Sequence, residues 1–199
     1  MEHLKTIGAV VAFAADAWVF YGIWKGLIKE QNFSTWMLWG LLACIVTITI
    51  IINGGHNYKL SAIYAFCSLS IGMLLLIKKE FAWTRVDWWT AAGVLICLGV
   101  WAFLGTTATT VASTTAVVIS GYPLLETTYK KPHLAPKQIY FMFCIASAAS
   151  LIAAKDWSIK EALYPEATLG ISIIFVLLSL RKPKGKKLSP PCTYDILVG

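Results

Sequence analysis

Long apolar runs, separated by short polar or charged stretches, make up most of the chain. Each run has about the 20 residues that a helix needs to cross a bilayer, and none alternates like a β-strand. Because lipid offers the backbone no hydrogen-bond partners, the pattern predicts an all-α integral membrane protein. The seven predicted transmembrane helices are Thr6–Leu27, Thr35–Asn53, Leu60–Ile77, Trp88–Leu104, Ala108–Thr127, Lys137–Ala154 and Tyr164–Leu180.

The interruptions between the runs carry turn residues or charges, as helix ends require. The break between the fourth and fifth runs is the least marked, because glycine and threonine also occur inside helices. The predicted breaks are Asn53-Gly54-Gly55, Lys78-Lys79-Glu80, Gly105-Thr106-Thr107, Lys130-Lys131-Pro132 and Lys155-Asp156.

Lysine and arginine fall mainly on one side of the predicted helices. Of the 17 Lys and Arg residues, only Lys5, Lys59, Lys155 and Lys160 lie on the side of the amino terminus. Cytoplasmic loops carry the positive excess in membrane proteins. Since an odd number of spans places the two ends on opposite sides, we expect the amino terminus outside and the carboxyl terminus in the cytoplasm. The basic tail that follows the last span, residues 181–199, is expected to lie against anionic headgroups.

Composition narrows the class of protein. Of 199 residues, 58% are hydrophobic and 14% are charged, which is more apolar surface than a soluble domain of this size can bury. The net charge of +7 is explained by the Lys and Arg residues expected on the cytoplasmic side, so we expect no nucleic-acid partner. Cysteines lie in spans or the tail and the three histidines in separate loops, so we expect no disulfide, metal or other cofactor. The spans hold no paired acids or nucleophile with a base, so we do not expect an enzyme.

Most of the nine tryptophans lie near the predicted span ends, where an aromatic belt meets the headgroups. Trp18 and Trp101 lie deeper, and we expect them to face lipid, with a place in a cavity wall as the alternative. The predicted belt consists of Trp24, Trp36, Trp39, Trp83, Trp88, Trp89 and Trp157.

A weak internal repeat appears when residue i is laid over residue i+101. This spacing pairs the first span with the fifth, the second with the sixth and the third with the seventh, without a gap. Because a single span separates the two triplets, they share one orientation, as parallel repeats of transporters do. The matched pairs include Tyr21 with Tyr122, Gly22 with Pro123, Lys29 with Lys130, Trp39 with Tyr140, Ala43 with Cys144 and Leu76 with Leu177.

The stretch Gly121-Tyr122-Pro123-Leu124-Leu125, followed by the basic turn at Lys130-Lys131, resembles the motif of the PQ-loop/SWEET superfamily of small transporters. Leu124 stands where the PQ form has glutamine, and Gly22 replaces the proline of the first repeat. The resemblance implies two parallel three-helix bundles joined by a linker helix (3+1+3). The expected parts are a first bundle at 1–79, a linker helix at 80–107, a second bundle at 108–180 and a basic cytoplasmic tail at 181–199.

Asp16 is the acid nearest the middle of any predicted span. A charge at that depth costs several kcal/mol, so we expect Asp16 to face a cavity or a partner, as a site for substrate or protons. The alternative is an acid that hydrogen-bonds to neighbouring hydroxyls for packing alone. The resemblance places a pocket at the same level, and we predict that Ser68, Thr114, Thr115 and Ser172 contribute to substrate binding there.

Gly22 and Pro123 occupy matching repeat positions near the cytoplasmic side, and both weaken a helix. The resemblance implies an inner hinge at this level, and a static kink is the alternative. Three residues further on, Lys25 and Glu126 also match and carry opposite charges. We expect either a gate formed by this pair or snorkelling of Lys25 to the headgroups.

These features together predict a multispanning transporter that moves a small polar solute, such as a sugar, an amino acid or a vitamin-like molecule, by alternating access. Proton coupling is consistent with Asp16. The alternative is a non-transport membrane receptor or assembly factor on the same seven-helix plan. The partners expected on either interpretation are a small solute and the lipid bilayer.

Overall fold

The computed structural model describes residues 2–28, 31–80 and 83–181, with the backbone alone at positions 93, 97, 98, 100–102 and 104–107. The tail beyond Arg181 and the side chains of Cys97, Trp101, Thr106 and Thr107 therefore lie outside the described residues. The described ranges contain helices and no strand, which confirms the all-α prediction. The elements are α1 (Glu2–Trp24), α2 (Phe33–Ile52), α3 (Lys59–Ile77), α4 (Arg85–Ser120), α5 (Tyr122–Lys130), a 3-10 turn (Pro132–Leu134), α6 (Lys137–Ile152) and α7 (Ile159–Leu180).

Five helical segments in the described ranges are long and apolar enough to cross a membrane. Helix α6 has 16 residues and is shorter than these five. Such a set of apolar helices is what a multi-pass membrane protein requires. The five segments are Glu2–Trp24, Phe33–Ile52, Lys59–Ile77, Ala108–Lys130 and Ile159–Leu180.

Local chemistry explains where the helices begin and end. Asn32 caps α2 by accepting a hydrogen bond from the Thr35 amide at 2.9 Å. Helix α1 ends at Trp24, three residues before the predicted Leu27, because Gly26 adopts a left-handed conformation with φ of +71°. Helix α7 begins at Ile159, five residues before the predicted start, and contains Pro165 within its second turn.

Helix α4 is the largest difference from the sequence prediction. It is helical over 36 residues, through Gly105-Thr106-Thr107, where we predicted a break. The prediction of a non-helical break was therefore wrong, because glycine and threonine interrupt a membrane helix only weakly. Helix α4 ends at Ser120, and Pro123 then stands in the first turn of α5.

The contacts of α4 with α2 indicate that the chain reverses direction within α4. Asp87 is hydrogen-bonded at the start of α2, whereas Asn53, at the end of α2, donates to Thr110 Oγ1 at 3.4 Å. Further on, the Trp39 indole donates to the Val117 carbonyl at 2.9 Å, so the chain has returned toward the start of α2. A straight helix of this length would extend about 54 Å and could not make all three contacts. Helix α4 therefore bends back between Asp87 and Thr110.

The helices form a ring. Helix α1 packs against α3 and α6, α2 against α3 and α4, and α7 against α6 and α4. The order around the ring is α1, α3, α2, α4 with α5, α7 and α6. Helices α1 and α6 lie close enough that a Cβ on Gly8 would stand 2.8 Å from the Ala146 carbonyl oxygen. Large apolar side chains such as Phe13, Phe66 and Ile174 are exposed on the outside of the ring, where lipid would cover them.

Candidate functional site

A cavity lies inside the ring of helices. It encloses about 650 Å³ of empty space, counting its open mouth, and it has walls from α1, α2, α3, α6 and α7, with Val117 and Leu124 completing the enclosure. A second hollow of about 250 Å³ shares four wall residues with it and continues past Thr127 and Lys131, at the carboxyl end of α5. The hollow therefore leads from the middle of the ring toward the end that the charge pattern assigns to the cytoplasm.

Asp16 lies in the wall of this cavity, midway along α1. It is 1% exposed, and neither of its carboxyl oxygens has a hydrogen-bond partner in the protein. Ala12, Ala15 and Val19 occupy the same buried face of the helix. A buried acid without a partner destabilises a folded protein, and an acid at such a place in an apolar helix is typical of a binding or proton site. The expectation that Asp16 faces a cavity agrees with this geometry.

Two of the four hydroxyl residues predicted beside Asp16 also line the cavity, namely Ser68 and Ser172. Thr114 and Thr115 do not, so the structure does not bring the five predicted residues together. Thr115 is exposed on the outer surface of α4, where its hydroxyl donates to the Val111 carbonyl at 2.8 Å. Thr114 is buried, but it is absent from the cavity wall. The sequence does not predict which residues of this segment face the cavity, because lipid-facing and inward-facing positions are both apolar.

Seven aromatic side chains also line the cavity. Phe175 stacks on Tyr140 with ring centroids 4.8 Å apart and meets Trp39 edge-on at 6.1 Å. Tyr64 meets Phe143 edge-on at 5.7 Å. Further aromatic members of the wall are Trp36 and Tyr164.

Sequence reasoning assigned Trp36 and Trp39 to the aromatic belt, and that assignment is wrong for both. Trp36 is 2% exposed, and Trp39 lines the cavity with its indole bonded to the Val117 carbonyl. The pairing of Trp39 with Tyr140 at the repeat spacing is the signal that could have identified Trp39. Trp18 is 55% exposed, as expected for a lipid-facing residue.

The predicted gate residues lie apart in this structure. Glu126 pairs with Lys130 one turn later on α5, with an Nζ–Oε1 distance of 2.5 Å. Lys25 is exposed, and its ammonium lies 5.9 Å from the centre of the Tyr21 ring. The expected pair between Lys25 and Glu126 is therefore not formed here, because Glu126 has a nearer partner on its own helix.

The predicted hinge positions are both buried near helix ends. Gly22 lies two residues before the end of α1, and a Cβ there would stand 2.5 Å from Ile28 Cδ1. Its carbonyl accepts hydrogen bonds from the amides of Leu27 and Ile28 at 2.8 and 3.1 Å. Pro123 lies in the first turn of α5, after the end of α4 at Ser120. A hinge at these positions stays a prediction.

A buried polar network lies at the opposite end of the ring. Lys5 on α1 lies 3.6 Å from the carboxylate of Glu161 on α7, and these side chains are 3% and 2% exposed. Asn57, before α3, donates to the carbonyls of Ser150 and Glu161 at 3.0 and 2.9 Å. Pro165 has no amide hydrogen to give to the Glu161 carbonyl, so Asn57 supplies the bond that the proline removes.

Sequence reasoning missed this network, because Lys5, Asn57 and Glu161 each looked like a solvated residue near a helix end. We call the group Lys5, Asn57, Ser150 and Glu161 the polar seal. It connects α1 and the start of α3 with α6 and α7, and so joins the two predicted bundles.

No family model, no curated protein and no solved structure matches the chain. The residues that the structure describes contain no group of three His, Cys, Asp or Glu side chains suited to a metal ion.

Proposed function

We propose that the chain is a multispanning membrane transporter that carries a small solute by alternating access. The observation on which the proposal rests is Asp16, a fully buried acid without a protein partner, in the wall of a cavity inside a ring of apolar helices. A charge placed there is costly unless a solute, a proton or water satisfies it. Transporter sites commonly lie at this depth between helical repeats.

The packing order supports a 3+1+3 plan for this transporter. In the first triplet, α3 lies between α1 and α2, and in the second, α7 lies between the Ala108–Lys130 segment and α6. The two triplets meet where α1 packs on α6 and where α2 packs on α4. The repeat matches α1 with the segment Ala108–Lys130 and α2 with α6, so each of these two contacts is the repeat equivalent of the other. Asp16 and Val117, which match at the repeat spacing, both line the cavity, as do Trp39 and Tyr140. In this plan the first half of α4 is the linker.

The two ends of the ring support an inward-open state. The cavity continues toward the carboxyl end of α5, while the polar seal closes the amino end of α1. With the amino terminus outside, as the distribution of Lys and Arg predicts, the seal is the outer gate. Alternating access would break the seal and close the cavity on the cytoplasmic side.

Uptake into liposomes tests the proposal. Purified full-length protein would be reconstituted and assayed with labelled sugars, amino acids, vitamins and small amines, beside the variant Asp16→Asn. Glu166→Gln is the matched control, since Glu166 is an exposed acid on α7 outside the cavity. We expect saturable uptake that Asp16→Asn abolishes and Glu166→Gln preserves.

The same experiment separates the second candidate function. Solute binding without flux would indicate a receptor or assembly factor on the same plan. Uptake that is unchanged in Asp16→Asn would contradict a central site at this residue.

A further inference from the structure

The charges around the cavity are unbalanced. Among the described residues in its wall, Asp16 is the one acid, and no lysine, arginine or histidine accompanies it. The other polar side chains of the wall, among them Tyr64 and Tyr164, are uncharged in their ordinary form. An anionic form of Asp16 therefore lacks a countercharge from the protein and would attract one from a ligand.

The rest of the wall offers few free hydrogen-bonding groups. The hydroxyl of Ser172 donates to the Thr168 carbonyl at 2.6 Å, and that of Thr168 to the Tyr164 carbonyl at 2.9 Å. A sugar would need many donors and acceptors in well-defined positions, whereas the carboxylate of an amino acid would meet Asp16 without a basic residue to hold it. Aromatic rings dominate instead, and their faces attract cations.

We propose that the cavity binds an organic monocation, with a quaternary or protonated ammonium group held between the Asp16 carboxylate and the aromatic wall of Trp39, Tyr140 and Phe175. This assignment deepens the transport proposal and rests on it. The cation neutralises the buried carboxylate, and the rings replace part of its hydration shell. A neutral molecule of the same shape lacks both interactions.

Choline and 3,3-dimethylbutan-1-ol test this inference, because the alcohol has the same shape with a carbon in place of the charged nitrogen. Binding to the purified full-length protein in nanodiscs can be followed by quenching of tryptophan fluorescence, since Trp36 and Trp39 line the cavity. Tetramethylammonium and tetraethylammonium extend the cation series. We expect at least one cation of the series to bind, and to bind about tenfold or more tightly than the neutral alcohol.

Variants distinguish the carboxylate from the ring. Asp16→Asn should abolish the preference for the cation, and Glu166→Gln should preserve it. Tyr140→Leu should weaken cation binding, whereas Tyr140→Phe, which keeps the ring, should not. Size-exclusion profiles of each variant show whether it is folded.

Three results would overturn the inference: no cation of the series binds, the alcohol binds equally well, or Asp16→Asn keeps the preference. Flux measurements separate this failure from that of the transport proposal. If cations bind but are not taken up into liposomes, the cation site is supported and the transport proposal is contradicted. If a neutral or anionic solute is taken up and the cation series does not compete with it, the transport proposal is supported and the cation site is contradicted.

Discussion

The buried carboxyl group of Asp16 is unfavourable to the stability of the fold. Every neighbouring residue of its buried face is apolar, and the carboxyl group has no protein partner. Proteins accept such local conflicts mainly at functional sites, where the group serves a ligand at the expense of stability.

Replacing this acid with an apolar residue of the same branched shape should stabilise the protein. We expect Asp16→Leu to increase the free energy of unfolding by about 1–3 kcal/mol, because it removes two buried oxygens that lack partners. Thermal unfolding in a fixed detergent measures the change, with Glu166→Gln as the control. A lower unfolding temperature for Asp16→Leu would indicate that Asp16 stabilises the fold and would weaken its assignment to a binding site.

At the residue scale, the sequence predicted the cavity only in part. Asp16, Ser68 and Ser172 could be predicted because a polar group in an apolar span stands out from its neighbours. The aromatic wall could not, because tryptophan near a helix end is equally typical of the lipid interface. Trp36 and Trp39 lie on the inward face of α2, whereas Trp24, at the end of α1, is exposed.

The start of α4 shows how one helix cap fixes two elements. Thr84 and Asp87 form a capping box, in which the Thr84 amide donates to Asp87 Oδ2 at 2.6 Å. Asn32 donates to Asp87 Oδ1 at 3.1 Å, and the Ser34 hydroxyl donates to the same oxygen. Burial raises the pKa of Asp87, but hydrogen bonds from Ser34, Thr84 and Asn32 outweigh it and hold the pKa below its usual value of 3.8.

This cap predicts a loss of stability in acid. A pKa that is lower in the folded state means that the Asp87 carboxylate stabilises the fold above about pH 4, and that this contribution is lost as the pH falls through the folded-state pKa. Asp87→Asn should lower the unfolding temperature at pH 7, and the difference from the parent protein should shrink below about pH 4. Thermal unfolding between pH 3 and 7 measures this, and a difference that stays constant with pH would contradict the role of the charge.

At the element scale, the positions of the helices were easier to predict than the place where the chain reverses direction. The apolar runs gave α1, α2, α3, α6 and α7 within a few residues, because their length alone identifies them. Helix α4 could not be predicted in the same way, because its continuity depends on backbone geometry and its reversal on contacts with α2.

The complete molecule has a predicted orientation. If α4 reverses within the membrane, the chain crosses an odd number of times and its ends lie on opposite sides. Reporter domains at the two ends should therefore show the amino terminus outside and the carboxyl terminus in the cytoplasm, following the excess of Lys and Arg. Moving positive charge to the amino terminus, by adding lysines before Lys5, tests the cause of the orientation. Finding both termini on the same side of the membrane would contradict the 3+1+3 plan.

The polar seal connects stability with the proposed transport cycle. Removing one partner of a buried ion pair leaves the other uncompensated, which typically costs about 3–5 kcal/mol, whereas replacing both partners costs less. Lys5→Met should therefore destabilise the protein. The double variant Lys5→Met with Glu161→Gln should recover part of the loss, although the backbone amide of His56, 2.6 Å from Glu161 Oε1, limits the recovery. A double-mutant cycle on unfolding free energies measures the coupling.

Weakening the seal should also open the cavity to the outside. A cysteine at Ser172, in a variant whose native cysteines are replaced, should react with a membrane-impermeant thiol reagent added outside only when the seal is weakened. Glu166→Gln gives the control, because it removes an exposed charge on α7 without touching the seal or the cavity. Equal labelling in the parent, the seal variant and the control would mean that this network stabilises the ring without acting as a gate.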